Sequence, residues 1–448
     1  MEVPVGARRW AAVAVIAAIT FGACSSGTTS TTSAPAGSQA AAASAAAAST
    51  AADQPAKIVW STWGDPTELA RFNDFDKAFM ARHPNIQVVL QPVADYTDYH
   101  TKLLAELTSG TAPDVFYVGD DNIGKFVDAN VLMPLDSLMA APGSLAPASN
   151  YFPGLFGAAV KDGVTYAVPT DDNPDMFWYD KKALAAAGIT QDPATLAANN
   201  QWTIATFLQM VDKLKAKGLD GAIFWNYWST HYSWISASGG TSWDAQGNFV
   251  LPNDPTSVAA LQTLASRFQD GKSFIVADTV PDPGPDTLFV THKAGFYVQG
   301  RYTIGTVKSA GDPQDYDVVR WPTVDGKPRP TGVAAAYLAI NKNTKNQAAA
   351  WTFFQEFVDA QGQIFRLQGG GNAVPSVKGA DSVVLDGYPA HAQAMLDARN
   401  IGFEDPPGEQ RHPGLSTDIS DAMLQLYQGK TTVAQTITKM QQLVAAAK

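Results

Sequence analysis

"YAVPTDDNPDMFWYDKKALAAAGI" (residues 166–189) sets the problem. An apolar, strand-like run from Val164 to Val168 reaches Pro169, and Thr170, Asp171, Asp172 and Asn173 then stand in a row. A second apolar run, Met176 to Tyr179, follows at once and leads into a helix-like segment ending at Gly188. Both apolar runs read as buried, so a dense cluster of oxygen-bearing side chains between them needs an explanation.

Upstream, strands and helices alternate. "KIVWSTW" (57–63) is strand-like and runs into Asp65-Pro66-Thr67-Glu68, a helix cap, a proline at the first helical position and a capping-box acid. Leu69, Phe72, Phe75 and Phe79 recur at helical spacing. "IQVVLQPV" (86–93) alternates like a half-buried strand, Tyr96 to Leu107 is helical, and "PDVFYV" (113–118) is a short buried strand. This order implies a largely parallel sheet with helices on both faces. Ligands of such sheets bind beyond the carboxyl ends of the strands. Attention therefore falls on Trp63-Gly64-Asp65 and on Gly119-Asp120-Asp121-Asn122.

Downstream, a second series places helices at 203–217 and 257–270 and strands at 221–225, 294–298 and 335–340. Asn346 to Leu367 reads as one long helix, and the last 33 residues as two, with Val433, Ile437, Met440 and Val444 on the core face of the second. No repeat of fixed period argues for a solenoid or propeller.

The N-terminus reads differently. Arg8 and Arg9 precede an apolar stretch from Trp10 to Phe21 and then Gly22-Ala23-Cys24, the pattern of an export signal. The stretch is shorter than the roughly 20 apolar residues a membrane span needs. Cys24 is the single cysteine, so no intrachain disulfide is possible. Its setting resembles the lipobox of bacterial lipoproteins, with Phe21 where Leu is usual; the alternative is an incidental cysteine after a simple signal peptide. Residues 24–56, rich in Ala, Ser and Thr, offer no apolar surface to offset ordering entropy and read as a disordered tether.

Loss of residues 1–23 leaves 29 basic and 41 acidic side chains, a net charge of −12. That balance argues against nucleic acid or anionic lipid as a partner. The six histidines lack metal-ligand spacing and no G-x-S-x-G occurs, so no catalytic group, metal or cofactor is expected. The 42 acids leave a glycosidase-type carboxylate pair open.

Several motifs in order resemble the extracellular solute-binding proteins of bacterial ABC importers, in particular the carbohydrate-binding, maltose-binding-protein-like branch. "SGTAPDVFYV" (109–118) looks like that family's G-x-x-P-D-hydrophobic strand, and the opening stretch looks like its proline–polar–"YNK"–helix signature, with Asp180 where Asn is usual. "QWTIATFLQMVDKL" (201–214), "KAGFYVQGRY" (293–302), "GVAAAYLAINKNTKNQAAAWTFFQEFV" (332–358) and "AVPS" (373–376) continue the series. The resemblance implies an α/β, two-lobed, periplasmic-binding-protein-like (type II) fold with a hinge crossed near 169–174, near 328–332 and after Val374-Pro375. It gives residues 57–168 with 330–377 as one lobe and 169–329 with 378–448 as the other. It also answers the opening question: a crossover at the floor of a cleft can expose polar side chains to ligand or water while its flanks enter separate cores.

What such a protein would do follows from the same resemblance. It implies a monomeric receptor, tethered by a lipid at Cys24 to the outer face of the cell membrane, that captures a carbohydrate and delivers it to an ABC permease. A secreted carbohydrate-acting enzyme is one alternative; the same receptor carrying a peptide, polyamine or glycerol phosphate ester is another.

Sugar binding needs aromatic planes for C–H faces and carboxylates, amides or guanidinium for hydroxyls. The candidates are Trp63, Gly64 and Asp65, with Asp65 also a helix cap. Asp120 and Asp121 follow, and the family's spacing favours Asp121. Asp171, Asp172 and Asn173 offer ligand contacts or an Asx-turn network. Of the aromatics in 224–243, Trp234 reads as core, while Trp225, Trp228, Tyr232 and Trp243 read as stacking platforms. Tyr297, Gln299, Arg301 and Tyr302 follow another strand, with Tyr302 where the family carries its sugar-stacking Trp. Gly332 lies at the second crossover. Arg411 closes the cleft or sits in a surface turn. "LQGGGNAVPS" (367–376) lacks the Lys-Ser/Thr of a phosphate loop.

Overall fold

The computed structural model describes residues 55–447 apart from Asp65, Ala94 and Pro413. The signal segment 1–23, Cys24 and the tether to residue 54 therefore lie outside the described residues, as does the candidate Asp65.

The first sheet grows from β1 (Ala56–Thr62), α1 (Pro66–Arg82), β2 (Ile86–Pro92), α2 (Tyr96–Ser109), β3 (Val115–Gly119) and α3 (Asp120–Asp128). β1 pairs in parallel with β2 and β3, as the alternating pattern predicts. The helix ends follow local chemistry. Asp95 accepts from the backbone N of Asp98 at the start of α2, and Gly110 closes that helix in the left-handed conformation at φ 78°. After a small hairpin, β4 (Val160–Lys161) with β5 (Val164–Thr165), the chain returns as β6 (Ala167–Pro174).

The second sheet comprises β7 (Met176–Asp180), β8 (Asp220–Phe224), β9 (Phe274–Val276), β10 (Ala294–Gln299) and β11 (Tyr316–Val319), in the order β11-β7-β10-β8-β9. The helices packed with it include α4 (Ile204–Ala216), α5 (Trp228–Ala237), α6 (Pro255–Gln269) and α7 (Thr303–Ser309). β12 (Val333–Ile340) then re-enters the first sheet, whose order is β2-β1-β3-β12-β6, and pairs antiparallel with both β3 and β6. The remaining helices used below are α8 (Gln347–Val358), α9 (Ala360–Leu367), α10 (Gln393–Ile401), α11 (Pro407–Gln410), α12 (Leu415–Tyr427) and α13 (Val433–Ala447).

Each sheet is buried on both faces, and strand alternation divides its side chains between two cores. In β3, Val115 and Tyr117 enter a core with Trp60, Phe72, Phe353 and Phe357, whereas Phe116 and Val118 join Tyr99 and Phe126 on the other side. In β7, Phe177 and Tyr179 pack with Phe207 and Phe224, while Met176 and Trp178 pack with Ile223 and Tyr297.

Three expectations need correction. The segment Asn346–Leu367 is two helices, because Asp359 leaves helical geometry at ψ 173° and its carboxylate accepts from Gly362 N to cap α9. Ala56 belongs to β1 rather than to the tether. The polar run 169–174 is not the crossover: it is strand, hydrogen-bonded to β12, and the chain changes sheet at Asp175. Asp171, Asp172 and Asn173 can occupy a strand because β6 lies at the edge of its sheet, where one side of the strand has no strand neighbour.

Candidate functional site

A cleft of about 780 Å³ opens between the two sheets. From the first sheet come Trp63 after β1, Glu68 and Arg71 of α1, Tyr96 at the start of α2, Tyr117 and Gly119 of β3, and Asp120 at the start of α3. Asp171 and Asn173 of β6 and Ala334 to Ala336 of β12 form its floor. The second sheet contributes Tyr227, Tyr302 and the first turns of α7, and Gly370 and Asn372 complete the rim.

Strand phase selects the floor. Along β6, Thr170, Asp172 and Pro174 are buried and Asp171 and Asn173 are partly open, the period-two pattern of a strand with one face on the cleft. A bulge at Thr170 sets this phase: Pro169 pairs with Tyr337, whereas Asp171 pairs with the preceding residue, Ala336.

Asp171 is held by charge. The buried guanidinium of Arg366 donates to its Oδ2 at 3.3 Å, as does Tyr117 Oη at 3.3 Å, and Thr170 Oγ1 donates at 2.9 Å. Arg366 itself lies over the Phe357 ring at 4.0 Å and donates to the carbonyls of Thr170 and Phe357. The result is a fixed acceptor on the cleft floor.

Asp120 behaves differently. Its carboxyl is buried and accepts from Tyr227 Oη and Trp228 Nε1, both at 3.0 Å, so it links the first sheet to the second. Burial, reinforced by the neighbouring Asp121, pushes it up to about 8 against the pull of the two donors.

The aromatic side chains form an L-shaped wall. Trp63 meets Tyr96 edge-on at 4.9 Å and Tyr117 at 5.6 Å. Across the cleft Tyr302 is 44% exposed, the available platform on that side. Two glycines make room for these rings. A Cβ on Gly119 would sit 1.7 Å from Tyr96 Oη, and one on Gly300 would sit 2.6 Å from the Tyr302 ring and 2.7 Å from Asn173 Oδ1.

The sequence pattern described as bacterial extracellular solute-binding protein matches residues 63–364, more than half of the chain. The chain belongs to that family. Among curated relatives, the maltotriose-binding protein of Pyrococcus abyssi is 26% identical over 314 residues, which span 67% of this chain and 62% of that protein. Among solved structures, an ABC substrate-binding protein from Listeria monocytogenes in complex with cycloalternan superposes with a TM-score of 0.76 at 18% identity, covering 88% of this chain and 99% of its own. Maltose-bound MalE3 of T. maritima superposes with a TM-score of 0.72 at 20% identity, covering 88% and 100%. These likenesses establish the two-lobed fold.

In this solute-binding protein the cleft gathers Trp63, Asp120, Asp171, Asn173 and Tyr302 of the sequence candidates, and Trp225 lines a side pocket that adjoins it. Gly64 neighbours Trp63 at φ 148° without lining the cleft.

The other candidates are turned elsewhere. Asp121 accepts from Tyr96 Oη and Asn122 Nδ2, so Asp120, not Asp121, is the lining acid. Asp172 falls on the opposite strand face, fully buried, with neither carboxylate oxygen hydrogen-bonded, and burial holds its carboxyl well above the usual range. Trp228 and Tyr232 are core residues of α5; the first donates to Asp120 and the second to Glu409. Trp243 packs on Phe249 at 5.0 Å. Tyr297 and Gln299 are interior residues of β10, Tyr297 on the face away from Phe296. Arg301 is 1% exposed and donates to the carbonyls of Gly371, Ala373 and Val383, so it stitches chain segments rather than meeting ligand. Gly332 packs against Ser229, where a Cβ would lie 2.5 Å from the serine Cβ. Arg411 donates to Asp128 and to the Val160 carbonyl beside α3.

Sequence reasoning missed Glu68, Arg71, Tyr96, Tyr117, Tyr227 and Asn372. Glu68 and Arg71 had a signal: they flank the Phe72/Phe75/Phe79 stripe of α1 at i, i+3 spacing. Asn372 Nδ2 donates to Glu68 Oε1 at 2.8 Å across 304 residues of sequence, and Arg71 reaches the Gln368 carbonyl at 2.7 Å. No local pattern announces such pairs.

Proposed function

We propose that this protein is the substrate-binding component of an ABC importer and captures a carbohydrate in the cleft between its lobes, for delivery to the permease. The observation that carries the reading is the cleft itself. Aromatic planes at Trp63 and Tyr302 line a cleft whose floor holds a fixed acceptor, Asp171, and an amide, Asn173, whose oxygen is anchored by the Arg301 backbone N, the pairing that a polyol with C–H faces and hydroxyls requires. The maltotriose, maltose and cycloalternan named for the relatives make α-linked gluco-oligosaccharides the first class to test. Contacts to both lobes exist only when the lobes approach, so binding shifts the hinge equilibrium toward closure.

The protein acts as a receptor rather than an enzyme in this reading, outside the cytoplasm and held at the membrane by a lipid on Cys24. Among the described residues no helix is long and apolar enough to cross a membrane. Mass spectrometry of the membrane-extracted protein is expected to find a diacylglyceryl group on Cys24.

A thermal-shift panel of mono-, di- and oligosaccharides tests the function. A cognate sugar at 100 times its Kd stabilises the fold by about 2.7 kcal/mol. Absence of any shift across neutral and amino sugars, or cleavage of a glycosidic bond during incubation, contradicts the reading.

A further inference from the structure

A side pocket of about 220 Å³ continues the cleft toward the second sheet and shares Asn173, Tyr227, Tyr302 and Ala334 with it. Its character differs from that of the main groove. Two carboxyl groups, Asp175 and Asp278, line it together with the aromatic side chains of Trp225 and Tyr302, and among the described residues no Lys, Arg or His does.

Among the described residues, neither acid accepts a hydrogen bond from a cationic side chain. Asp175 Oδ2 accepts from Ser229 Oγ at 2.8 Å and Thr230 Oγ1 at 3.3 Å, and Asp278 Oδ2 accepts from the Asn226 backbone N at 3.0 Å. All three donors are neutral. Asp171 in the main cleft, by contrast, is paired with Arg366. The position of Asp175 is fixed by its backbone, whose N donates to the Gly332 carbonyl and whose carbonyl accepts from Trp321 Nε1 and Thr331 Oγ1. It is the residue at which the chain changes sheet. The Trp225 ring that lines the pocket is backed by Tyr297, with the ring centroids 6.4 Å apart at 27°.

A carboxylate in a partly desolvated pocket, served only by neutral donors, is a poor host for an anion and leaves part of its charge uncompensated. A ligand cation supplies what is missing, and an aromatic face beside it adds cation–π attraction. We infer that the side pocket is a subsite for a sugar unit bearing a protonated amine, with the ammonium group received by Asp175 and Asp278 beside the faces of Trp225 and Tyr302. The inference rests on the carbohydrate reading of the cleft and names the substrate class of one end of it. Burial pushes the Asp175 carboxyl up to about 7, against its bonds to Ser229 and Thr230, and a bound ammonium favours its ionised form.

The probes are D-glucosamine, D-glucose and N-acetyl-D-glucosamine, titrated into the full chain at pH 6.5 and read by intrinsic tryptophan fluorescence and saturation-transfer NMR. N-acetylation removes the charge while keeping the ring. Glucosamine is expected to bind about tenfold more tightly than either neutral sugar, a preference that weakens as salt is raised. Asp278→Asn, a change at an exposed side chain, should reduce the preference at least severalfold and leave the fold intact; Asp175→Asn should remove it. Equal affinity for the three sugars, or a preference unmoved in both variants, overturns the inference. Binding of neutral oligosaccharides without an amine preference would sink this subsite and leave the receptor reading standing, whereas no binding of any sugar would remove the reading beneath it.

Discussion

The carboxylate of Asp120, at the start of α3, accepts the indole N–H of Trp228, at the start of α5, at 3.0 Å. One residue belongs to the first sheet's helices and the other to the second's, and Tyr227 donates to the remaining oxygen. The bond joins the lobes at the edge of the cleft, so a residue that lines the cleft also ties the first sheet's helices to the second's. A ligand hydroxyl that engages Asp120 would compete with, or reinforce, a link between lobes that exists without it.

Asp120→Ala removes both acceptors and leaves the buried Trp228 N–H without a partner. Loss of about 1–3 kcal/mol of stability is expected, together with a larger radius of gyration in small-angle scattering because the lobes are less restrained. Scattering identical to that of the parent protein would show that this link does not set the lobe separation.

The aromatic candidates separate into two kinds, and substitution distinguishes them. Tyr302 is 44% exposed, so Tyr302→Ala should change apo stability by no more than about 1 kcal/mol while weakening sugar binding by about 1–2 kcal/mol through the lost apolar area. Trp228 is 1% exposed, and Trp228→Ala should cost about 3–5 kcal/mol of stability. Chemical denaturation and titration calorimetry on the two variants give the comparison. A Tyr302→Ala protein that binds sugar normally removes that ring from the site.

Acidity has a signed effect on stability. Burial raises the carboxyl of Asp76 to about 7 and that of Asp120 to about 8, each above its value in the unfolded chain. Between those values the folded state holds more protons than the unfolded state, so the stability these groups contribute is lost as pH rises. Buried His100, lowered to about 4, and His231, lowered to about 3, act in the other direction once pH falls below the unfolded histidine value of about 6.5. The melting temperature should therefore climb as pH is reduced from 8 to 6.5 and climb less steeply below that, where the two histidines oppose the carboxyls. Asp76→Asn should flatten the first part of that profile, since Asp76 Oδ1 is buried without a partner and Oδ2 accepts from Trp60 Nε1. A profile that rises steadily toward pH 8 would contradict the assignment.

The order of strands and helices was legible in the chain because periodicity is local. The 3.6-residue recurrence of Phe72, Phe75 and Phe79 and the alternation in 86–92 each require only a neighbour a few residues away. The same logic pointed to strand ends, and Trp63, Asp120 and Tyr302, which follow β1, β3 and β10, line the cleft. Phase is another matter. Alternation says that Asp171 and Asp172 point to opposite faces, and it cannot say which face is the cleft. The bulge at Thr170 and the pairing of β6 with β12 decide that, and they place Asp171 on the floor and Asp172 in the interior. The sequence by itself determined which segments could form two α/β lobes; the tertiary structure alone decided which member of each neighbouring pair, Asp120 or Asp121, Asp171 or Asp172, meets the cleft. Orientation within an element depends on partners such as Arg366, Tyr96 and Glu409 that lie far away along the chain, where no short-range pattern carries the information.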